Sequence, residues 1–209
     1  MTICYFIAGT DTDCGKTTVT LDLINKYQQQ GKKVIALKPI AAGINQQGKN
    51  QDAVLLQQAN SVLLDYSMIN PYLFKAPISP HLAAKKENKT IDIQYLKKWF
   101  NTIKKQADIV LIEGAGGWYA PISKNQTMAD IAIQLEIPII LVVGMKLGCL
   151  NHTLLTVEAI QKQQTPLAGW IANQIDPNMA EFENNLNTLK EKIAPPFIDL
   201  IEFKITTKI

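Results

Sequence analysis

One short stretch, "GTDTDCGKTT" at residues 9–18, constrains the fold of this 209-residue chain more than any other. It matches the phosphate-binding loop pattern G-x-x-x-x-G-K-[ST], except that five residues and not four separate Gly9 from Gly15. The apolar run "ICYFIAG" before it predicts a buried strand, and "TTVTLDLINKYQQQ" after it predicts a helix capped by Gly31. A strand, such a turn and a helix, in that order, are the setting in which a phosphate loop occurs.

The chemistry of such a loop depends on free backbone N–H groups at the helix start, which point at phosphate oxygens where the helix dipole favours negative charge. We expect Lys16 to reach the terminal phosphates of a nucleotide and the Thr17 hydroxyl to hold Mg²⁺. For Cys14, inside the loop, we expect the backbone to matter more than the thiol. The alternative is a glycine-containing turn with a solvated lysine, and the flanking strand and helix favour the phosphate loop over it.

The length of the chain predicts one domain, residues 1–209, with a sizeable core. The net charge of +3 is too small to predict a nucleic-acid partner. The chain contains no arginine, so all 21 basic residues are lysines. If the protein transfers phosphoryl groups, lysines and Mg²⁺ must therefore supply the positive charge that an arginine often supplies.

The cysteines and the hydropathy of the chain indicate the cellular compartment in which we expect the protein. The cysteines Cys4, Cys14 and Cys149 form no C-x-x-C pair and are odd in number, which argues against a disulfide framework or a zinc site. This usage fits a reducing cytoplasm, where we expect the protein to reside. No apolar run approaches the length of a membrane span and no signal peptide is visible, so we expect no membrane association.

Apolar runs and amphipathic stretches alternate along the rest of the chain. Further strands are predicted at "KVIALKP", "ADIVLIEGAGG", "IPIILVVG", "PLAGWIANQI" and "PFIDLIEF". Helices are predicted at "AVLLQQANSVLL", "TIDIQYLKKWFNTIKKQ", "TMADIAIQLE", "TLLTVEAIQKQQ" and "NMAEFENNLNTLKEKI". We expect "AAGINQQGKNQD" to be a mobile loop, and "INPYLFKAPISPHLAA" to be an irregular loop that leads into a short helix with Pro80 in its first turn. The pattern predicts an α/β fold, a three-layer P-loop NTPase-like architecture with a mainly parallel sheet flanked by helices.

In such a sheet, ligands bind beyond the carboxyl ends of the strands. Glu113 ends one predicted strand, and a buried carboxylate there needs a cation, either Mg²⁺ or a lysine. Lys38 ends another strand and is either beside the phosphates or merely solvated. Asp52 precedes a predicted helix, so its alternative to a metal contact is an N-cap. His81 and His152 have no Cys or acidic residue at metal-ligand spacing, and neither is a good candidate for a catalytic base.

Several motifs together resemble one family, the dethiobiotin synthetases, which are ATP-dependent cyclo-ligases of biotin biosynthesis. The matching stretches are "YFIAGTDTDCGKTT", "KPIAAG", "NPYLFKAPISPHLAA", "VLIEGAGGWYAPIS", "MADIA", "PIILVVGMKLGCLNH" and "LAGWIANQ". They follow one another in the family's order from Tyr5 to Gln174. The loop of this family carries five residues between its glycines, so the resemblance accounts for the extra residue at the front of the loop.

The resemblance implies a reaction, its substrates and an assembly. An amine of 7,8-diaminopelargonic acid captures CO₂, supplied by bicarbonate, as a carbamate. ATP phosphorylates the carbamate with Mg²⁺ as cofactor, and the second amine then closes the ureido ring and releases ADP and phosphate. The family implies a homodimer in which one subunit completes the substrate site of the other.

The resemblance also implies a role for the residues within the motifs. The catalytic residues it implies are Lys38, Lys16 and Thr12. The nucleotide contacts it implies are Asp13, Cys14, Gly15, Lys16, Thr17, Thr18, Asp52, Glu113, Gly114, Ala115, Gly116, Asn173 at the adenine, and Gln174. The metal ligands it implies are Thr17, Asp52 and Glu113. The substrate contacts it implies are Thr12, Asp13, Lys38, Ala42 and, from the other subunit, Leu147, Gly148, Cys149 and Asn151.

The chain departs from the family pattern at two places. Ala42 stands where the family often has a serine that contacts the substrate, so one hydrogen bond to the substrate is not expected here. The C-terminal "IEFKITTKI" is short and lacks the proline and aromatic residues expected near the adenine.

Two other classes share parts of this pattern. Switch ATPases that partition chromosomes or division sites usually carry a lysine at the front of the loop, as in "KGG-x-GKT", whereas Thr10 to Asp13 contain none. Their membrane-binding tail is also not expected, because "KITTKI" is too short for an amphipathic helix. An amide ligase of cobalamin synthesis would need an appended glutaminase domain, for which this chain has no room.

Overall fold

The computed structural model of the chain describes residues 2–203, so the "KITTKI" tail at 204–209 lies outside the described residues. The strands, in chain order, are β1 Ile3–Gly9, β2 Val34–Leu37, β3 Ile40–Ala42, β4 Tyr72–Phe74, β5 Ile109–Glu113, β6 Ile139–Met145, β7 Leu167–Gln174 and β8 Phe197–Ile201. The helices are α1 Lys16–Gln29, α2 Gln51–Ala59, α3 Tyr66–Ile69, α4 Pro80–Lys86, α5 Ile93–Ile103, α6 Met128–Leu135, α7 Cys149–Lys162 and α8 Phe182–Lys192, and a 3₁₀ turn, Lys104–Gln106, follows α5.

The main sheet has the strand order β2-β5-β1-β6-β7-β8, and every pair of neighbours in it is parallel. The central strand β1 places Ile7 beside both Glu113 of β5 and Ile140 of β6. Because all these strands point the same way, the loops that follow them meet at one edge of the sheet. The candidate residues that we predicted from the sequence lie at that edge.

Successive residues of each central strand face opposite sides of the sheet, as the two-residue period of a strand requires. Phe6 and Ala8 of β1 belong to one hydrophobic cluster, and Ile7 between them belongs to another. Helices α3 to α8 contribute to the first cluster, α1 contributes to the second, and α2 contributes Ala53 to the first and Leu56 to the second. The predicted three-layer α/β fold with a parallel sheet between helices is therefore confirmed.

The helix predicted over "TIDIQYLKKWFNTIKKQ" is confirmed as α5, and its apolar face is buried. It begins after Asp92, whose carboxylate accepts hydrogen bonds from the backbone N–H groups of Gln94 and Tyr95. Pro80 is in the first turn of α4, as predicted, where its missing N–H costs nothing. Within residues 2–203, no helix combines the length and the apolarity that a membrane crossing requires.

Three predicted helix boundaries are wrong by four residues or more, and one of them is the start of α8, which begins at Phe182 and not at Asn178. Helix α2 ends at Ala59, not at Leu64, because the side chain of Asn60 hydrogen-bonds both the N–H and the C=O of Ala36 and draws the chain onto β2. Helix α7 begins at Cys149, four residues earlier than predicted, after Gly148 in the left-handed conformation.

The sequence did not predict the second, two-stranded sheet, in which β3 pairs with β4 in parallel. The first residues of the predicted mobile loop "AAGINQQGKNQD" belong to β3, and the irregular "INPYLFKAPISPHLAA" contains β4. Strands of three residues are too short to show an alternating pattern, and their pairing partners lie about thirty residues apart in the chain. This small sheet lies directly after β2 and forms part of the candidate site.

Gly144 on β6 lies directly under the phosphate loop. A Cβ at this position would come within 2.9 Å of the Cα and Cβ atoms of Cys14 and of the Cδ1 atom of Ile175. A glycine here therefore lets the loop pack onto the sheet.

We predict that Gly144→Ala lowers the free energy of unfolding by about 1–3 kcal/mol, the usual cost of overpacking, because the backbone of the loop cannot move aside freely. Urea denaturation of both proteins measures this loss. The control is Gly117→Ala, whose Cβ would meet its nearest atoms at 3.5 Å, an ordinary contact. Equal midpoints for wild type and Gly144→Ala would contradict the assigned packing.

Candidate active site

A cavity of about 680 Å³ opens at the carboxyl ends of β1, β2 and β5, within the range of about 300–1,000 Å³ that is typical of small-molecule sites. Most of the residues named from the sequence line it. These are Thr12, Asp13, Gly15, Lys16, Thr17, Thr18, Lys38, Ala42, Asp52, Glu113, Ala115 and Gly116. The sheet topology thus brings together residues that are up to about a hundred positions apart in the chain.

The phosphate loop ends at Gly15, which stands before α1 with φ at 87°. This left-handed conformation favours glycine, and a Cβ there would also lie 1.9 Å from the Nδ2 atom of Asn173. The same Nδ2 donates a hydrogen bond of 3.0 Å to the carbonyl oxygen of Cys14. Asn173, at the end of β7, therefore supports the loop through its backbone, and the expectation that the backbone of Cys14 matters is consistent with this contact.

Lys16 lies across its own loop. Its Nζ atom donates a hydrogen bond of 3.1 Å to the carbonyl oxygen of Asp11 and is 3.9 Å from the Sγ atom of Cys14. The side chain is buried, so these two partners and not water stabilise its positive charge. A phosphate oxygen would be a stronger, charged acceptor for the same ammonium group.

The centre of the site is a network around the carboxylate of Glu113, which is fully buried at the end of β5. Its Oε1 atom accepts hydrogen bonds from the Thr17 hydroxyl at 2.8 Å and from the Lys38 Nζ atom at 2.5 Å. Lys38 also donates to the carbonyl oxygen of Gly114 at 3.1 Å and lies 3.6 Å from the Oδ2 atom of Asp52. Of the three residues named as metal ligands, Glu113 and Asp52 therefore contact one ammonium group, and Thr17 contacts Glu113.

These contacts bear on the alternatives that the sequence left open for Glu113, Lys38 and Asp52. Glu113 does form an ion pair with a lysine. The solvated alternative for Lys38 is wrong, because only 4% of this residue is exposed. The N-cap alternative for Asp52 is also wrong, because the N-cap of α2 is Asn50, whose side chain accepts a hydrogen bond from the N–H of Ala53.

The charge state of Lys38 follows from its neighbours. Burial alone lowers the pKa of a lysine, but the carboxylates of Glu113 and Asp52 outweigh it and raise the pKa of Lys38 above its usual value. Lys38 is therefore a cation throughout the physiological range of pH.

One atom of the network fits a metal ion. The Oε2 atom of Glu113 is buried and has no hydrogen-bond partner among residues 2–203. Mg²⁺ in nucleotide sites is held by one or two carboxylates together with phosphate oxygens, and Glu113, Asp52 and the Thr17 hydroxyl offer oxygen ligands of this kind. The residues present therefore suit a divalent cation.

Other residues named from the sequence do not line the cavity. Gln174 accepts a hydrogen bond from the N–H of Phe203, and its contact with a nucleotide stays a prediction, as does that of Asn173. The residues implied for the substrate's far end, Leu147, Gly148, Cys149 and Asn151, also lie outside the cavity lining of this chain. They form the start of α7 and the turn before it, where Leu147 is 92% exposed.

The sequence did not predict the far wall of the cavity. Pro77, Ile78, Ser79, Pro80 and Ala120 form it, and most of them belong to the turn between β4 and α4. The signal for this wall was the long loop rich in proline, since loops of such length in compact domains are often binding elements.

A family profile described as an AAA domain matches residues 4–201. The ATP-dependent dethiobiotin synthetase BioD of Nitrosospira multiformis is 41% identical over 199 residues, covering 95% of this chain and 88% of the relative. The BioD protein of Cellvibrio japonicus is 42% identical over 200 residues, covering 94% and 88%. Among solved structures, the MinC:MinD cell division complex of Aquifex aeolicus has a TM-score of 0.60 with 19% identity, covering 97% of this chain and 82% of that one, so this likeness concerns the fold.

A further ion pair joins the front of the phosphate loop to the turn before α7. The Oδ2 atom of Asp11 lies 3.1 Å from the Nζ atom of Lys146, and the Oδ1 atom accepts a hydrogen bond from the N–H of Thr12. Burial alone would raise the pKa of Asp11, but these two hydrogen bonds outweigh it and lower the pKa. The pair thus joins the front of the loop to the segment that follows β6.

We predict that Asp11→Asn lowers stability at neutral pH by less than about 1 kcal/mol, because both partners are partly exposed to water. A carboxylate with a lowered pKa stabilises the fold above its unfolded pKa of about 3.9 and ceases to do so as the pH falls through its folded pKa. The stability difference between wild type and Asp11→Asn should therefore be constant near neutrality and vanish in acid.

Urea denaturation at a series of pH values measures this difference. Asp65→Asn is the control, since Asp65 forms no salt bridge within residues 2–203. A difference for Asp11→Asn that does not change with pH would show that its charge contributes nothing.

Proposed function

The chain belongs to the dethiobiotin synthetase family, and from this membership we propose that it uses ATP to convert 7,8-diaminopelargonic acid and CO₂ into dethiobiotin. An amine nitrogen attacks CO₂ and loses a proton, giving a carbamate. A carbamate oxygen then attacks the γ-phosphorus of ATP and ADP leaves. Finally, the second amine attacks the activated carbonyl carbon and phosphate leaves, which closes the ring.

One observation of the structure carries this proposal, the convergence of Lys38, Thr17, Asp52 and Glu113 at the phosphate loop. Phosphoryl transfer needs positive charge placed where negative charge develops, and it needs little covalent chemistry from the protein. We propose that Thr17, Asp52 and Glu113 would hold Mg²⁺, which supplies neutralisation of phosphate charge when bound.

The lysines supply the remaining charge. Lys16 starts α1 and is next to the free amides of the loop, so it can follow the β- and γ-phosphates. Lys38 lies between the ends of β2 and β5 and would stabilise the transferring phosphoryl group and the carbamate. Because the chain has no arginine, no side chain with a bidentate guanidinium can take over this role.

The rest of the cavity fits an alkyl diamine. Thr12 and Asp13 line its front and offer a hydroxyl and a carboxylate to the amines, and we propose that they orient the attacking nitrogen. Ala42 and the far wall offer apolar contacts to the carbon chain. At Ala42 the chain has no hydroxyl, so this residue offers the amines no side-chain hydrogen bond.

We further propose a homodimer in which "LGCLN", residues 147–151, meets the substrate carboxylate in the cavity of the partner. The exposure of Leu147 supports this, as does the helix start after Gly148, whose free amides suit a carboxylate.

Two further proposals, on the domain organisation and on the compartment, have structural support. The small and large sheets share one hydrophobic cluster, which supports a single domain. Cys4, Cys14 and Cys149 are free thiols, which supports a reducing compartment such as the cytoplasm.

We predict that the protein forms dethiobiotin from diaminopelargonate, bicarbonate, Mg²⁺ and ATP, as detected by mass spectrometry. Lys38→Met should lower the turnover number at least about a hundred-fold, the usual effect of removing one preorganised donor to developing charge. Lys162→Met is the control, because within residues 2–203 the one salt bridge of Lys162 is with Glu158 on the surface of α7. Failure of the wild-type protein to form the product would refute the proposed function.

We predict that mixing two inactive variants restores activity if the site is shared between subunits. Lys38→Ala removes a residue of the cavity, and Asn151→Ala removes one of the residues assigned to the partner subunit. A heterodimer of the two contains one intact site, so activity should reappear after subunit exchange. The shared site is wrong if Asn151→Ala alone is fully active or if mixing never restores turnover.

A further inference from the structure

Lys38 lies in a cage of oxygen atoms. Its Nζ atom is 2.5 Å from the Oε1 atom of Glu113, 3.1 Å from the carbonyl oxygen of Gly114 and 3.6 Å from the Oδ2 atom of Asp52. Two carboxylates and a carbonyl around one point are the surroundings that a hard divalent cation also prefers. The ammonium group therefore satisfies the same oxygen atoms that the proposed function assigns to a metal ion.

The two partners of this cage differ in their freedom to move. The Glu113 side chain is fully buried and follows directly from the central part of the sheet. The backbone of Lys38 is fixed as well, because its N–H donates to the carbonyl of Ile69 and its C=O accepts from the side chain of Asn70. The long, flexible stem of Lys38 is thus the part that can change position while the strand ends stay in place.

One oxygen atom of Glu113 is not used by the lysine. The Oε2 atom is buried without a hydrogen-bond partner in the described part of the chain, so a cation that binds it gains a contact without breaking an existing hydrogen bond of that atom. Asp52 is about half exposed and meets Lys38 at the longest distance of the three oxygens. Once a divalent cation engages both carboxylates, an ammonium group at the same point is repelled by it and loses its acceptors.

Resting on the metal site of the proposed function, we propose that Lys38 and a divalent cation compete for Glu113 and Asp52, so that cation binding releases the lysine toward the anionic ligand in the cavity. The metal thereby makes the catalytic charge available, and Lys38 is withheld from the transferring group until the metal is bound. Lys16 takes no part in this exchange, since its contacts are with Asp11 and Cys14 and not with either carboxylate.

The competition can be measured without nucleotide or turnover. Binding of Mn²⁺ to the protein is followed by electron paramagnetic resonance of the free ion, for wild type and for Lys38→Met, Lys16→Met and Glu113→Gln. Removal of the competing ammonium group in Lys38→Met should tighten Mn²⁺ binding by about tenfold or more, as expected for loss of a close charge at a poorly solvated site. Lys16→Met removes one nearby charge without freeing the carboxylates, so its effect should be about threefold or less.

A second measurement follows the wild-type protein itself and uses a variant only to assign one resonance. In protein labelled with ¹³C at the lysine Cε atoms, the Lys38 resonance, assigned by its absence from the Lys38→Gln spectrum, should shift when Mg²⁺ is added before nucleotide. The resonance of Lys16 should stay in place under the same conditions.

The outcomes separate the two hypotheses. No gain in Mn²⁺ affinity in Lys38→Met relative to Lys16→Met, or a Lys38 resonance that does not respond to Mg²⁺, overturns the competition. If Glu113→Gln binds Mn²⁺ as well as the parent protein, the metal site assigned in the proposed function is itself wrong. If Lys38→Met binds Mn²⁺ more tightly than the wild type, and the double variant Lys38→Met/Glu113→Gln loses this gain, the result supports both the competition and the assigned metal site.

Discussion

A carboxylate at the end of a strand that is covered on both faces needs a cation nearby, and this requirement organises the site. Glu113 is fully buried on β5, and Lys38, at the end of β2, provides the cation. Because β2 and β5 are neighbours in the sheet, the pair forms without any distortion of the strands. The Thr17 hydroxyl donates a hydrogen bond to the Oε1 atom of Glu113 and so connects the first turn of α1 to the end of β5. One electrostatic constraint therefore fixes the relative positions of three elements.

The fold alone does not define the chemistry. The division-site protein of Aquifex aeolicus shares the architecture at 19% identity, whereas the dethiobiotin synthetases share about twice as much of the sequence. At the front of the phosphate loop this chain has Asp11, which pairs with Lys146 from the segment after β6. Positive charge therefore reaches this part of the loop from a different element of the fold.

Much of the fold and the core of the site were predictable from the sequence, because their signals are local. The apolar face of α5, the strand before the loop and the acid after "IVLI" each follow from a short periodic pattern. The pairing of β3 with β4, the contact of Asp11 with Lys146 and the end of α2 at Asn60 were not predictable. Each depends on a partner more than twenty residues away, and no local pattern encodes such a partner.

The small β3–β4 sheet has a mechanical consequence for the cavity. Ala42 on one strand and the turn after Phe74 on the other form adjoining parts of the wall, and the N–H of Gly43 donates to the carbonyl of Phe74 across the pair. Backbone hydrogen bonds therefore couple these segments, while Ile40 and Phe74 anchor both in the core. Because backbone hydrogen bonds and not the side chain of Ala42 join the two segments, a change of side chain at position 42 would alter the lining of the pocket and leave the pairing of β3 with β4 in place.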